Sequence, residues 1–126
     1  MENTNPKKRY GSAKPSTWDI PPVAIFKLGQ AMAEGAAKYG RFNWRDNKVD
    51  SSTYYNAMMR HLLLWGSGED YDPLTGVSHL AYIMANCCVL IDAEAHLMLH
   101  DDRRDDGGAK VLATVMKELT KELPIE

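Results

Sequence analysis

Side chains that can bind metal ions and phosphates are concentrated between positions 34 and 79, in the segments EGAAKYGRFNWR and MRHLLLWGSGEDYDPLTGVSH. The first segment begins at Glu34, and the second ends at His79. A purely structural helix usually carries Lys and Glu on its outer face and Leu on its inner face. Tryptophan, histidine and arginine beside apolar positions therefore indicate a polar pocket lined by aromatic rings.

Carboxylates in these segments supply the oxygen ligands that Mg²⁺ requires. A phosphate-bound Mg²⁺ typically uses one or two protein carboxylates. Glu34 lies near the predicted C-terminus of a helix, where an acid opposes the helix dipole, so its presence there needs a reason. Glu69, Asp70 and Asp72 lie in the loop after the next helix. These acids either join Glu34 in a metal site or simply face water.

Two histidines lie on the predicted helices around this loop. His61 is on the second helix, and His79, Tyr82 and Asn86 share one face of the third helix at helical spacing. If the two faces meet, they form a polar seam in which His61 can orient or deprotonate a water molecule. Alternatively, each histidine is a structural residue bonded to a carbonyl. His96 and His100 have metal-ligand spacing, but charged coil follows them, which favours a solvated helix end.

Basic and aromatic residues of the same region fit a nucleotide. Phosphate transfer requires cations that neutralise oxyanion charge, and aromatic rings can stack on a base or pack in the core. An N-terminal arm can fold over the pocket or remain a disordered tail. We predict that phosphates are bound by Lys38, Arg45 and Arg60, that the base is contacted by Tyr39, Asn43 and Trp44, and that the arm contributes Lys14 and Trp18.

Four helices are predicted to position these side chains. Pro22 favours a helix start and Gly40 a helix end, whereas almost no segment alternates as a strand does. We expect an all-α fold with an arm at residues 1–20, extended from Pro15 to Pro22, and one helical domain at residues 21–126. The predicted helices run from Pro22 to about Tyr39, from Ser51 or Ser52 to about Gly66, from about Val77 to Leu99, and from Ala109 to Leu123, with a polar loop over Arg41–Asp50.

Apolar residues at helical spacing predict the buried faces. The inward residues should be Ile25, Leu28 and Met32 on the first helix, Tyr55, Met58, Met59 and Leu62 on the second, Leu80, Ile83, Met84, Cys87, Leu90 and Ile91 on the third, and Val111, Leu112, Val115 and Leu119 on the last. This is more apolar surface than one small bundle can cover. We therefore expect a homodimer or homotetramer.

Composition excludes several classes of protein. The chain has 126 residues and a formal net charge of −2, which disfavours a nonspecific nucleic-acid binder. Its longest apolar segment, about Leu80–Ala95, is interrupted by Asn86 and Asp92, so we expect no membrane span. No signal peptide is evident, and the adjacent Cys87 and Cys88 form no disulfide framework. We expect a cytoplasmic protein.

No P-loop, GxGxxG or GxSxG motif is present, and no Cys–His pair indicates a thiol nucleophile. A metal-activated water is therefore the expected nucleophile.

Four segments of the chain resemble a known family. Together, KPSTWDIPP, EGAAKYGRFNWR, MRHLLLWGSGEDYDP and GVSHLAYIMAN resemble a phage family of dATP/dGTP diphosphohydrolases. That family is similar to the enzyme MazZ and looks like a branch of the all-α, MazG-like nucleoside triphosphate pyrophosphohydrolases. The resemblance covers roughly residues 12–95.

The resemblance implies a four-helix MazG-like bundle that cuts a purine deoxynucleoside triphosphate, dGTP or dATP, into the monophosphate and pyrophosphate with Mg²⁺ or Mn²⁺. The chain departs from the ExxE and ExxD motifs of MazG-like enzymes, with Ala37 after Glu34 and with His79 and Tyr82 in the second motif. Metal ligation is then expected from Glu34, Glu69, Asp70 and His79, with His61 and Glu34 as the catalytic residues.

Two other functions remain open. A degenerate acid motif is compatible with a protein that binds or senses purine nucleotides without hydrolysing them. A structural helical oligomerisation module is the third possibility, in which the polar seam serves assembly.

Overall fold

The computed structural model describes residues 5–120, and within them the fold is mostly helical, which confirms the all-α prediction. The helices are α1 (Pro6–Gly11), α2 (Pro22–Tyr39), α3 (Asn43–Asp46), α4 (Ser51–Gly66), α5 (His79–Ala95) and α6 (Gly108–Leu119), with a 3₁₀ turn at Thr17–Asp19. Two short strands, β1 (Val49–Asp50) and β2 (Leu99–His100), pair in parallel.

Helix α5 is the centre of the fold, because α2 and α4 both pack against it. Apart from His79, the residues that α5 buries are small and recur every four positions: Ala81, Ala85, Val89 and Ala93. Small side chains on this stripe let the neighbouring helices approach closely. Ala31 of α2 and Val77, which precedes α5, complete the core around Ala81 and Ala85.

The large apolar residues of α5 do not all point inward as predicted. Leu80, Cys87 and Ile91 are exposed, with Ile91 at 71%. The predicted inward residues Tyr55 and Leu62 of α4 and Ile25 of α2 are likewise exposed. The alanine stripe, rather than the larger side chains, forms the packing face of α5, and it gives a weaker hydrophobic pattern in the sequence.

The predicted bounds of the first two long helices are confirmed by α2 and α4. Gly40 ends α2 with a φ of 90°, a conformation that glycine adopts without strain. The end predicted for the third helix is wrong, since α5 stops at Ala95 and not at Leu99. Leu97 has a φ of 57°, which turns the chain so that Leu99 pairs with Val49.

The N-terminus of α4 is capped from a distant part of the chain. Asp102 accepts hydrogen bonds from the Ser52 N–H at 2.8 Å and from the Ser51 hydroxyl at 2.6 Å. These bonds, the Ser51 bond first, lower the pKa of Asp102 to about 2. Asp50 pairs with His100 at 2.6 Å beside this cap. The segment after α5 therefore fixes the start of α4. Both His96 and His100 are exposed, as the predicted solvated helix end requires, and Nδ1 of His96 lies 2.9 Å from the Asp92 carbonyl.

Helix α6 departs from the predicted four-helix bundle. All its residues are exposed, including its apolar residues Val111, Leu112, Val115, Met116 and Leu119. The predicted helix covered Ala109–Leu123, and its last three residues lie outside the described part of the chain. The long helices that pack together are thus α2, α4 and α5, and Trp44 of α3 and Val49 of β1 form a second buried cluster with Val89 and Ala93. Across residues 5–120, no helix combines the length and apolar character that a membrane span needs.

The N-terminal segment contains α1 and the 3₁₀ turn, so the stretch from Pro15 to Pro22 is not uniformly extended as predicted. Every described residue before Pro22 is exposed. The predicted boundary between an arm at residues 1–20 and a domain at residues 21–126 stays a prediction.

Candidate active site

A cavity of about 510 Å³ opens beside α5, between α2, α4 and the loop before α5. Residues from each of these parts and from α3 line it. Its polar and aromatic lining includes Glu34, Lys38 and Tyr39 of α2, Asn43 and Trp44 of α3, Tyr54, Arg60 and His61 of α4, Asp72 and Thr75 of the loop, and Tyr82 and Asn86 of α5. Acids, cations and rings that are distant in sequence thus share one concave surface.

Two histidines meet at the wall of this cavity. The Nδ1 atoms of His61 and His79 are 2.9 Å apart, which confirms that the polar faces of α4 and α5 form a seam. His79 is only 1% exposed, and its Nε2 is 2.7 Å from Oε1 of Glu69. Both ring nitrogens of His79 therefore have protein partners, whereas His61 also lines the cavity.

The Tyr82 ring orients His61. The two rings stack with centroids 4.6 Å apart and an interplanar angle of 21°. The Tyr82 hydroxyl donates a hydrogen bond to Oγ1 of Thr75 at 2.7 Å, which fixes the tyrosine in turn. Burial lowers the pKa of His61 below its ordinary value, and the neighbouring His79 ring adds to this effect. His61 is therefore held mainly neutral at neutral pH.

Two carboxylates line the cavity, and they come from α2 and from the loop. Glu34 lies 3.6 Å from Nζ of Lys38, one helical turn away, and raises the pKa of Lys38. Asp72 accepts hydrogen bonds at Oδ1 from the backbone N–H groups of Leu74 and Thr75. Its Oδ2 accepts none from the described residues. Both acids are thus positioned by local contacts and still face the cavity.

The predicted metal set is not assembled in this cavity. Glu69, Asp70 and His79 do not line it, and Glu69 faces His79 instead. A metal ion on a ring nitrogen of His79 would require one of its two contacts to break. Asp72, the remaining acid of the loop, is the carboxylate that shares the cavity with Glu34.

The predicted phosphate-binding cations have different positions. Lys38 and Arg60 line the cavity. Arg45 does not, because it forms two hydrogen bonds to Asp92 of α5, at 2.8 and 3.0 Å. Its guanidinium carbon also lies 4.3 Å from the centre of the Phe42 ring. In this arrangement Arg45 joins α3 to α5 and does not face a ligand.

Trp44 contributes to the core as well as to the cavity. It is 8% exposed, and its indole N–H donates to Oδ2 of Asp92 at 2.6 Å. The hydrogen bonds from Arg45 and Trp44 lower the pKa of Asp92 far below its ordinary range. The buried position of Trp44 limits a bound base to the part of the ring that lines the cavity.

The remaining predicted contacts divide into two groups. Tyr39 and Asn43 line the cavity, and the Asn43 amide donates to the Gly40 carbonyl at 3.1 Å, which leaves its side-chain oxygen as an acceptor. Lys14 and Trp18 do not line it, and Trp18 is 93% exposed. Their predicted roles would need the N-terminal segment to move.

The lining includes Tyr54 and Thr75, which were absent from the predicted site, and Asp72, which was weighed with the loop acids but not chosen as a metal ligand. Tyr54 follows the same helical face as His61, at a spacing of seven, which is a usable signal. Thr75 carries no such signal, because its place depends on the turn that Asp72 forms with Leu74 and Thr75.

The donor set of the cavity fits a hard divalent cation that arrives with a phosphate ligand. Within residues 5–120 there is no cluster of three or more His, Cys, Asp or Glu side chains that could hold a metal ion. Mg²⁺ usually keeps several waters and is bound through one or two carboxylates plus substrate phosphates. Glu34 and Asp72 provide two carboxylates, so substrate oxygens and water would complete the coordination.

Comparison with known proteins gives the family. A family model described as dATP/dGTP diphosphohydrolase, N-terminal, matches residues 4–103. The chain belongs to this family. It is also 29% identical, over 85 residues, to a dATP/dGTP diphosphohydrolase of Salmonella phage PMBT28. That match covers 68% of this chain and 29% of the phage protein, so the chain spans under a third of its relative. No solved structure matches the chain significantly.

Proposed function

We propose that the cavity binds a purine deoxynucleoside triphosphate, dATP or dGTP, and hydrolyses it to the monophosphate and pyrophosphate. The observation that carries this proposal is the meeting of His61 with Glu34, Asp72, Lys38 and Arg60 on one concave surface. A neutral base, two carboxylates and two cations are the groups that phosphoryl-group hydrolysis requires. The family and the name of the phage relative support the same substrate class.

Different lining residues suit different parts of the substrate. Lys38 and Arg60 provide positive charge for the triphosphate. Tyr39 and the accessible part of Trp44 provide rings that can stack on a purine. The free oxygen of Asn43 can accept a hydrogen bond from a base amino group. These residues share the cavity with His61, so a bound nucleotide can place its phosphates near the base.

Glu34 and Asp72 would hold Mg²⁺ or Mn²⁺ together with the substrate phosphates. Such an ion, when bound, neutralises phosphate charge and lowers the pKa of a coordinated water. The protein's own contribution to the reaction is the base at His61.

The proposed chemical step needs one water and one proton acceptor. The oxygen of the water attacks the α-phosphorus, and the bond from that phosphorus to the bridging oxygen breaks. Pyrophosphate leaves with the electron pair of that bond. The proton of the attacking water passes to Nε2 of His61, which has no hydrogen-bond partner among the described residues. Lys38 and Arg60 stabilise the charge that develops on the phosphate oxygens.

Product analysis tests the activity. The protein is incubated with dATP or dGTP and Mg²⁺ or Mn²⁺, and the nucleotides are separated by chromatography. We expect the monophosphate and pyrophosphate from wild type, and a large loss of turnover in Glu34→Gln. Release of inorganic phosphate and a diphosphate, or full activity of Glu34→Gln, would contradict the assignment.

A second candidate is a nucleotide-binding protein without turnover. It is favoured by one observation, that residues 5–120 hold no cluster of three metal-binding side chains. The same incubation separates the candidates, because tight binding of dGTP by calorimetry without product formation would support the second.

We also propose that the chain forms a homodimer or a larger homo-oligomer through α4 and α5. Tyr55, Met58, Leu62 and Trp65 share one face of α4, and Leu80, Met84, Cys87 and Ile91 share one face of α5 at spacings of four and three. The two faces adjoin, since Sγ of Cys87 lies 3.5 Å from Sδ of Met58. Exposed apolar patches of this kind mark association surfaces, and a second copy presents a matching face.

The proposed setting of the reaction is the cytoplasm, where deoxynucleoside triphosphates are present. A net charge of −2 offers no general attraction to nucleic acid. We therefore propose the free nucleotide, and not a polynucleotide, as the ligand.

A further inference from the structure

Next to His61, but outside the cavity lining, lie two groups that the proposed reaction does not use directly, His79 and Glu69. We propose that buried His79, paired with half-exposed Glu69, fixes the tautomer of His61, so that Nδ1 of His61 carries the proton and Nε2 is free to accept one. His79 and Glu69 are thereby positioning residues. This inference rests on the proposed function for its effect on turnover, while the tautomer can be measured without any activity.

Glu69 determines which ring nitrogen of His79 carries a proton. A carboxylate can only accept hydrogen bonds, so the 2.7 Å contact places a proton on Nε2 of His79. A ring that is 1% exposed carries a charge only at a large desolvation cost, which favours the neutral form of His79. A neutral imidazole protonated at one nitrogen has a lone pair on the other. Nδ1 of His79 is therefore the acceptor in its 2.9 Å contact with His61.

The contact with His79 also fixes the tautomer of His61. Because Nδ1 of His79 accepts, Nδ1 of His61 must donate. Neutral His61 then has its lone pair on Nε2. A free histidine in water populates both tautomers, so the pair selects one form and also holds the ring in place.

Burial makes this selection effective. His79 is 1% exposed, so an alternative water partner for its ring is excluded. The His61 ring is also held by stacking on Tyr82 at 4.6 Å. Two independent contacts therefore prevent His61 from rotating to exchange its nitrogens.

The direct test is nitrogen NMR of protein labelled with ¹⁵N-histidine, which distinguishes protonated from unprotonated ring nitrogens. The chain has four histidines, and the His61 and His79 signals are assigned from single His→Asn variants. We expect His61 protonated at Nδ1 only and His79 protonated at Nε2 only. A wild-type His61 protonated at Nε2, or a mixture of both forms, would overturn the inference whether or not the protein hydrolyses nucleotides.

The kinetic test uses Glu69→Gln, which keeps the size of the side chain at a half-exposed position. Its amide can donate as well as accept, so His79 loses the constraint on its tautomer. We expect kcat for dGTP to fall by roughly 10- to 100-fold, the usual effect of losing a group that orients a histidine, with KM nearly unchanged. The exposed Glu94→Gln on α5 is the matched control and should retain wild-type kcat.

A purely structural role for Glu69 predicts a different result. In that case Glu69→Gln would lower stability but leave both kcat and the His61 tautomer as in wild type, and the inference would be wrong. If wild type itself releases no product, the proposed function fails, and the NMR measurement alone decides the inference.

Discussion

Replacing His61 separates its structural contact from its proposed chemistry. His61→Ala removes both the proton acceptor at Nε2 and the donor that faces Nδ1 of His79 at 2.9 Å. His61→Asn is the informative partner, because its amide can occupy the Nδ1 position and donate to His79 but cannot act as a base. The two variants should therefore differ in stability and agree in activity.

The expected magnitudes follow from the contacts. An unsatisfied buried acceptor costs about 1–3 kcal/mol, and the cavity beside His61 admits water, which places the cost near 1 kcal/mol. Loss of the stacking on Tyr82 costs about another 1 kcal/mol. His61→Ala should then lose about 2 kcal/mol of unfolding free energy and His61→Asn only about 1 kcal/mol. Both should lose roughly 10²–10⁴-fold in kcat, the usual contribution of a general base.

Urea unfolding measures the stabilities, and the rate of pyrophosphate release from dGTP at saturating substrate measures kcat. Binding of dGTP to each variant, measured by calorimetry, shows that the pocket is intact. Activity of His61→Asn near that of wild type would refute the role of His61 as the base. Equal stability of His61→Ala and wild type would refute the contact with His79 as a stabilising one.

Four further outcomes follow from other contacts. Val77→Ala removes two carbons from a residue that is 2% exposed, so the unfolding free energy in urea should fall by about 2 kcal/mol. Arg60→Ala should raise KM for dGTP about tenfold with a smaller change in kcat, because a phosphate-binding cation is lost. Thermal stability should fall from about pH 4 downward more in wild type than in Asp92→Asn, since Arg45 lowers the pKa of Asp92 in the folded state below 3.8. Ile91→Lys should give a smaller species by light scattering than wild type, because a charge enters the proposed interface.

The sign of the pH effect follows from linkage. A carboxyl whose folded-state pKa is depressed stabilises the protein above its unfolded-state pKa and loses this contribution as the pH falls toward the folded value. If the thermal stabilities of wild type and Asp92→Asn fell in parallel below about pH 4, the predicted contribution of Asp92 would be contradicted. For the interface, Ile91→Val is the matched control and should keep the wild-type assembly. Unchanged stability of Val77→Ala, unchanged KM of Arg60→Ala, or an unchanged assembly in Ile91→Lys would contradict the respective prediction.

The helix bounds of α2 and α4 were predictable because their signals are local. Pro22 begins α2 and Gly40 ends it, and both residues act through their own backbone preferences. The end of α5 was not predictable in the same way. Its chain reversal at Leu97, with a φ of 57°, is stabilised by pairing of Leu99 with Val49, fifty residues earlier.

The site was predictable in its composition and less so in its geometry. Helical spacing placed His61 and His79 on faces that meet, as the 2.9 Å contact confirms. Trp44 and Arg45 looked like ligand contacts, but their partner is Asp92, which lies 48 and 47 residues away. Nothing local distinguishes an arginine that binds phosphate from one that binds a distant aspartate. Asp72, rather than Asp70, faces the cavity because the turn before α5 directs it there.

We propose the cavity beside α5 as the nucleotide site. Its most direct test is a crystal structure of the protein with Mn²⁺ and a dGTP analogue whose α–β bridge cannot be hydrolysed. We predict triphosphate density between Lys38 and Arg60, Mn²⁺ at Glu34 and Asp72, and the α-phosphorus facing Nε2 of His61. Nucleotide bound elsewhere on the protein, with this cavity containing only water, would contradict the account.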